Sequence, residues 1–250
     1  MTYIKDIMNY CDTFAPFCTQ EEWDNSGLNI GNPDKKTQKV LLSLDITPDT
    51  VNEAKEKGVD LIISHHPVIF NAQKSIDFDT VCARLLQNNI SALCLHTNLD
   101  KATNIGVNEV LAKTLELINM QLFPDDFLCI GELETEMNCD DFAEYVKSKL
   151  NSKSVRYTDC KSIKNVAVSS GGGGDAVFLQ SKYKFDALVT GELKHHQFIF
   201  AKERSFCAVD AGHFSTENVV IKPLCDILSE KFADVEFLIS EYQSDYANAK

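Results

Sequence analysis

The chain has 250 residues, 44% of them hydrophobic and 24% charged, so it can bury a full core as one large α/β domain or as two smaller lobes, and disorder is not expected. Its 24 basic and 37 acidic residues give a net charge of −13, and no Lys/Arg cluster offers a footprint for a phosphate backbone, which argues against a nucleic-acid partner. No apolar run spans a bilayer, Lys5, Asp6 and Asp12 interrupt any signal-peptide core, and nine cysteines without a C-x-x-C pair read as reduced thiols, so a cytoplasmic protein without membrane contact is expected.

Ile4, Ile7, Met8 and Cys11 recur at helical spacing, which predicts an amphipathic first helix with Thr2 as its cap. A turn-rich stretch over 21–39 follows, and Val40 to Leu44 reads as a strand. Thr47-Pro48 supplies an N-cap and an N1 proline for a helix that Gly58 ends. Then come a strand at 61–63, a helix at 78–89, a strand at 92–95 and a helix at about 105–117. Strands alternating with helices imply βαβ units and a largely parallel sheet. Pro124-Asp125-Asp126 is the expected lobe boundary. Beyond it lie strands near 127–132, 154–157 and 164–169, a helix at 140–150, and a helix after Gly171-Gly172-Gly173-Gly174. Strands at 187–190 and 206–209, a final helix to about Lys231 and a strand at 235–239 complete the chain. The fold class read from this order is α/β with largely parallel or mixed sheets.

Four of the six histidines stand just past strand candidates in three segments, two of which also carry an acid: Ser64-His65-His66-Pro67, His96-Thr97-Asn98-Leu99-Asp100 and Gly212-His213-Phe214-Ser215-Thr216-Glu217. In open parallel sheets ligands bind at the carboxyl ends of strands, so this pattern brings distant segments to one rim. Neighbouring side chains on a regular strand point to opposite faces, so His65 and His66 share a site only where the strand ends, and Pro67 helps impose that ending. His213 and Glu217, four apart, share a face if a helix starts by Phe214. Each segment alone reads equally as a strand-end histidine pair, a helix-capping aspartate or a surface ion pair. Together they favour a metal centre of imidazole and carboxylate ligands, suited to zinc, iron, manganese or cobalt, with hydrolysis as the default reaction.

The four-glycine loop follows a strand and opens a helix, a geometry able to present N–H groups to an anion, yet it matches neither the P-loop nor the dinucleotide fingerprint, and a tight turn is the simpler reading. Glu192 reads as a general base or substrate ligand, while His195 and His196 fall on a helix surface. Trp23 reads as a packing anchor rather than a stacking platform.

The order of Trp23-Asp24-Asn25-Ser26-Gly27-Leu28, Ser64-His65-His66-Pro67, His96-Thr97-Asn98-Leu99-Asp100, Thr190-Gly191-Glu192 and Gly212-His213-Phe214-Ser215-Thr216-Glu217 resembles the NIF3-like family, the GTP cyclohydrolase 1 type 2 homologues, in its short form. The resemblance implies two linked α/β lobes: a metal-binding lobe of residues 1–125 and 206–250, and a second lobe of 126–205. It implies two divalent metal ions per subunit, held by His65, His66, Asp100, His213 and Glu217, with Glu217 bridging and His96 facing the metals as a proton shuttle. His96 and Glu192 are the catalytic candidates. It further implies a homohexamer acting on a small-molecule substrate, a nucleotide or related metabolite. A metal-binding, metal-delivery or scaffold role without turnover stands beside the hydrolase reading. The tail 241–246 lacks the Asn-Pro ending associated with many members.

Overall fold

A computed structural model describes residues 1–246. Its strands, in chain order, are β1 (Gly27–Ile30), β2 (Lys39–Ser43), β3 (Leu61–Ser64), β4 (Ser91–Cys94), β5 (Ile118–Phe123) and β6 (Leu128–Met137). They continue as β7 (Arg156–Tyr157), β8 (Ile163–Ser169), β9 (Ala187–Thr190), β10 (Cys207–Asp210) and β11 (Glu236–Ile239). With the interleaved helices they form a mixed α/β fold of two compact units, Met1–Ile105 with Ile221–Ser244, and Gly106–Val220 with Asp245 and Tyr246.

The first unit is built on a five-stranded sheet in the order β1-β4-β3-β2-β11. All neighbours are parallel except β1, which runs antiparallel to β4. Every residue of β3 and β4 is buried, as the continuous apolar runs of strands covered on both faces require. The helix Pro48–Lys57 starts and stops where its sequence says: Thr47 Oγ1 accepts from Thr50 N, Pro48 occupies N1, and Gly58 takes the left-handed conformation at φ 66°. The first helix, Ile4–Phe14, buries Ile4, Ile7 and Cys11 on one face. Its cap differs from expectation. Tyr3 is the N-cap, its N–H donating to Asp6 Oδ2 at 2.9 Å, while the Thr2 hydroxyl donates to Asp234 instead.

The second unit carries a six-stranded sheet in the order β5-β6-β8-β9-β10-β7. Its centre, β8-β9-β10, is parallel, and β5, β6 and β7 add antiparallel edges. Pro124–Asp126 is a 3-10 turn joining β5 to β6 within this one sheet. The chain therefore passes between the compact units at Ile105 and Val220, not at Pro124–Asp126, because β5 and β10 find their pairing partners in the second sheet. After Gly171 the chain forms a 3-10 segment, Gly173–Leu179, and one helical turn, Gln180–Tyr183, in place of a regular helix. The closing helical region is three pieces, His213–Glu217, Asn218–Val220 and Ile221–Lys231.

Candidate metal centre

In the first unit β3 and β4 end level with each other, Ser64 standing opposite Cys94. The residues just past those ends are His65 and His66 on one side and Leu95 and His96 on the other. His66 keeps one last strand-like bond, N–H to Leu44 O at 3.0 Å, and the Ser64 hydroxyl donates to the His66 carbonyl at 2.7 Å as the chain turns away. Rings of His65, His66 and His96 then gather with centroids 5.1, 5.2 and 5.5 Å apart. One ligand atom from each lies within 4.8 Å of the others, and Asp100 Oδ1 stands 3.7 Å from His65 Nε2.

The same nitrogen is engaged on each ring. His65 Nδ1 sits 2.8 Å from the Leu95 carbonyl, His66 Nδ1 2.7 Å from Asp45 Oδ1, and His96 Nδ1 2.8 Å from Asp24 Oδ1. A carbonyl or carboxylate oxygen accepts only, so Nδ1 carries the hydrogen in all three and Nε2 is left as the candidate ligand atom. This is the bracing that metal-bound imidazoles show: the outer partner fixes ring orientation and raises ligand basicity. Three imidazoles so arranged, beside a carboxylate and without a thiolate, fit a divalent transition ion.

Asp24 is the hub of this bracing. Besides His96 it accepts from Thr97 N at 3.1 Å, from the Thr97 hydroxyl, from Ser26 Oγ at 2.9 Å and from Asn25 N at 2.7 Å. Burial pushes its carboxyl up, but the hydrogen bonds from His96 and Thr97 outweigh that and hold it well below the usual carboxylate range. Neither Asp24 nor Asp45 was singled out as a site residue in the sequence. Asp45 had the needed signal, being an acid just past the end of a strand.

Trp23 is not a packing anchor. It is 58% exposed, its ring stacked on the 46% exposed Phe70 at 5.8 Å and 18°. Both rings meet His96 edge-on, at 6.0 and 5.8 Å.

In the second unit β9 and β10 also end level, Thr190 opposite Asp210. Glu192 follows the first and His213 the second. Gly212, at φ 91°, turns the chain so that a helix begins at His213, which places His213 and Glu217 on one face as the spacing predicts. His213 Nε2 lies 2.9 Å from Glu217 Oε2, and its Nδ1 lies 2.7 Å from Glu192 Oε1. Glu217 is buried and Glu192 is largely exposed, so the inner acid shares the Nε2 side while the outer acid braces the ring.

Glycines make room for this pair. A Cβ on Gly171 would fall 1.8 Å from Glu217 Oε1 and 3.0 Å from His213 Nε2. A Cβ on Gly191 would fall 2.6 Å from the Gly171 carbonyl and 2.7 Å from His213 Cα. Gly171 N–H donates to Thr216 Oγ1 at 3.0 Å and Gly173 N–H to the Ser170 carbonyl at 3.1 Å, so the four-glycine loop spends these donors on the protein itself. His195 and His196 open the helix His195–Arg204 and are exposed, His196 stacking on Phe178. No helix among the described residues is long and apolar enough to cross a membrane.

The family model of Duf34/NIF3 (NGG1p interacting factor 3) matches residues 2–246. A GTP cyclohydrolase 1 type 2 homolog of Clostridium perfringens is 34% identical, over 97% of this chain and 97% of its own. Another from Campylobacter jejuni is 34% identical over 97% of this chain and 99% of its own. Among solved structures, a Staphylococcus aureus protein superposes with a TM-score of 0.93 at 29% identity, covering 100% of this chain and 99% of its own. Reduced HcgD from Methanocaldococcus jannaschii does so at 0.81 and 30% identity, covering 96% of this chain and 98% of its own.

Proposed function

Because the chain belongs to the Duf34/NIF3 family, we propose that it is a metal-dependent hydrolase of the GTP cyclohydrolase 1 type 2 kind, using two divalent ions to open a nucleotide ring or a related small metabolite. The single observation that carries this reading is the bracing of four imidazoles on Nδ1, at His65, His66, His96 and His213. Plain surface histidines have no reason to share it. In this proposal His65, His66, Asp100, His213 and Glu217 hold the ions, and zinc, iron, manganese and cobalt all suit that set.

The ions, when bound, supply Lewis acidity and an acidified water. The chain's own residues do the rest. Asp45 and the Leu95 carbonyl orient His66 and His65. Asp24 holds His96 with the hydrogen on Nδ1, and His96 Nε2 is placed to take up or return a proton beside the ligands. Glu192, proposed from sequence as a base, acts on His213 Nδ1 and so serves here by positioning that ring. A homohexamer in the cytoplasm belongs to the same reading and rests on the family resemblance, with sedimentation of the purified protein as its check.

The test is GTP turnover by metal-quantified protein beside His65→Ala and Glu217→Ala. Two ions per subunit, turnover, and loss of both ions and turnover in the variants support the proposal. Two ions without GTP turnover would sink the cyclohydrolase assignment and leave metal binding or delivery as the role.

A further inference from the structure

Trp23 and Phe70 are exposed large apolar side chains, and exposure of that kind is a cost that folding alone does not explain. Nor is their pairing loose. Asn25 Nδ2 donates to the Ile69 carbonyl at 2.6 Å, and Asn29 Oδ1 accepts from Val68 N at 3.1 Å, so the loop that carries Phe70 is tied to the segment that carries Trp23. On the other side of Trp23, the hydrogen bonds of Asp24 tie that segment to His96 and Thr97. The two rings are thus held nearly parallel with their edges against an imidazole of the histidine group. They form a small aromatic stack, a wall at the margin of the candidate metal centre.

We infer that Trp23 and Phe70 are the binding wall for a planar heteroaromatic ring, a nucleobase or similar bicycle, which they hold beside His96. Every base has a π-face, and stacking on an aromatic side chain contributes about 1–3 kcal/mol, or roughly 5- to 150-fold in affinity. A flat base can continue such a stack on an outer ring face. Two side chains are far fewer than the roughly 20–30 residues a side of a stable protein interface. The inference deepens the proposed function and rests on it for the identity of the site, but the binding itself needs only these rings.

The chain has one tryptophan, so tryptophan emission, excited selectively over the tyrosines, reports Trp23 alone. Full-length protein is titrated with guanosine, GTP, and inorganic tripolyphosphate with ribose 5-phosphate, before and after chelation of metal. Guanosine and GTP are expected to quench Trp23 along a saturable curve that persists after chelation, and the base-free compounds are not. Phe70→Ala should weaken that binding about tenfold, and Phe70→Tyr should restore it. Quenching that is absent, merely linear in concentration, equal with the base-free compounds or unaffected by Phe70→Ala would overturn the inference. Base binding without hydrolysis would leave the wall standing and remove the hydrolase reading. Two bound ions without base binding would do the reverse.

Discussion

Gly171 and Glu217 are fitted to each other: any side chain at 171 would occupy the place of the Glu217 carboxylate, whose Oε1 lies 1.8 Å from where a Cβ would stand. The backbone at Gly171 is also left-handed, at φ 54°, which penalises every L residue but glycine. Gly171→Ala should therefore destabilise the protein by about 1–3 kcal/mol and displace Glu217. Gly172, one residue on, has nothing within 4 Å of its Cβ position, and Gly172→Ala should change stability by less than ~0.5 kcal/mol. Urea denaturation and metal content of the two variants check this, and equal behaviour would refute the fit.

Asp24 and Asp45 brace imidazoles without being candidate ligands themselves. Replacing Asp45, which braces the proposed ligand His66, by Asn or Ala should lower metal affinity about 10- to 100-fold while the ligand residues remain in place. Asp24→Ala, which releases the proposed shuttle His96 and removes the acceptor for Thr97 N and Ser26 Oγ, should instead lower turnover and stability with a smaller effect on metal. Chelator competition gives the affinities, and an unchanged affinity in the Asp45 variants would show that the bracing has no bearing on metal.

Glu53 is buried, and burial pushes its carboxyl up. Lys57, Ser240 and the Glu241 N–H more than offset this and hold it below the ordinary glutamate value. An acid depressed in the folded state contributes stability that is fully present above its unfolded pKa, about 4.3, and is lost as pH falls through the lower folded value. Denaturation midpoints measured from pH 7 down to 3 should therefore fall below about pH 4.5. Glu53→Gln should cost roughly 1–3 kcal/mol at pH 7 and flatten part of that acid limb. A variant with the wild-type acid limb would count against the assignment.

Cys18 is the exposed thiol, whereas Cys11, Cys82, Cys94, Cys129, Cys207 and Cys225 are buried. Burial pushes the Cys11 thiol up to about 12 and the Cys129 thiol up to about 11, so both are protonated and unreactive near neutrality. Ellman titration of native protein should label Cys18 first, Cys139 and Cys160 more slowly, and those six only after denaturant is added. Early labelling of Cys11 or Cys129 would contradict the packing.

What the sequence showed and hid divides along physical lines. Helix Pro48–Lys57 was legible because its start and stop signals are local, a threonine cap, a proline and a glycine. The strand-end histidines were legible because apolar runs and polar ends mark where strands stop. The passage between compact units was not, since it depends on which sheet β5 and β10 pair into, a long-range matter that the Pro124 turn signal misreports. Trp23 was misread because tryptophan is usually packed, and only the fold reveals that its neighbour is the exposed Phe70. Asp24 escaped notice because its partner is 72 residues away. The four glycines read as a tight turn with an anion loop as the alternative, and neither reading revealed that Gly171 makes room for Glu217, another distant contact.

The level endings of β3 and β4 carry one more consequence. Side-chain direction along a strand has a period of two, so losing or gaining a single residue within Leu61–Ser64 would exchange the faces that His65 and His66 occupy. Both imidazoles would survive such an indel chemically intact and still be lost as a pair. The centre is thus governed by a count of residues as much as by their kinds. Alignment gaps inside that four-residue strand would mark relatives whose chemistry has parted from this one, even where every histidine is retained.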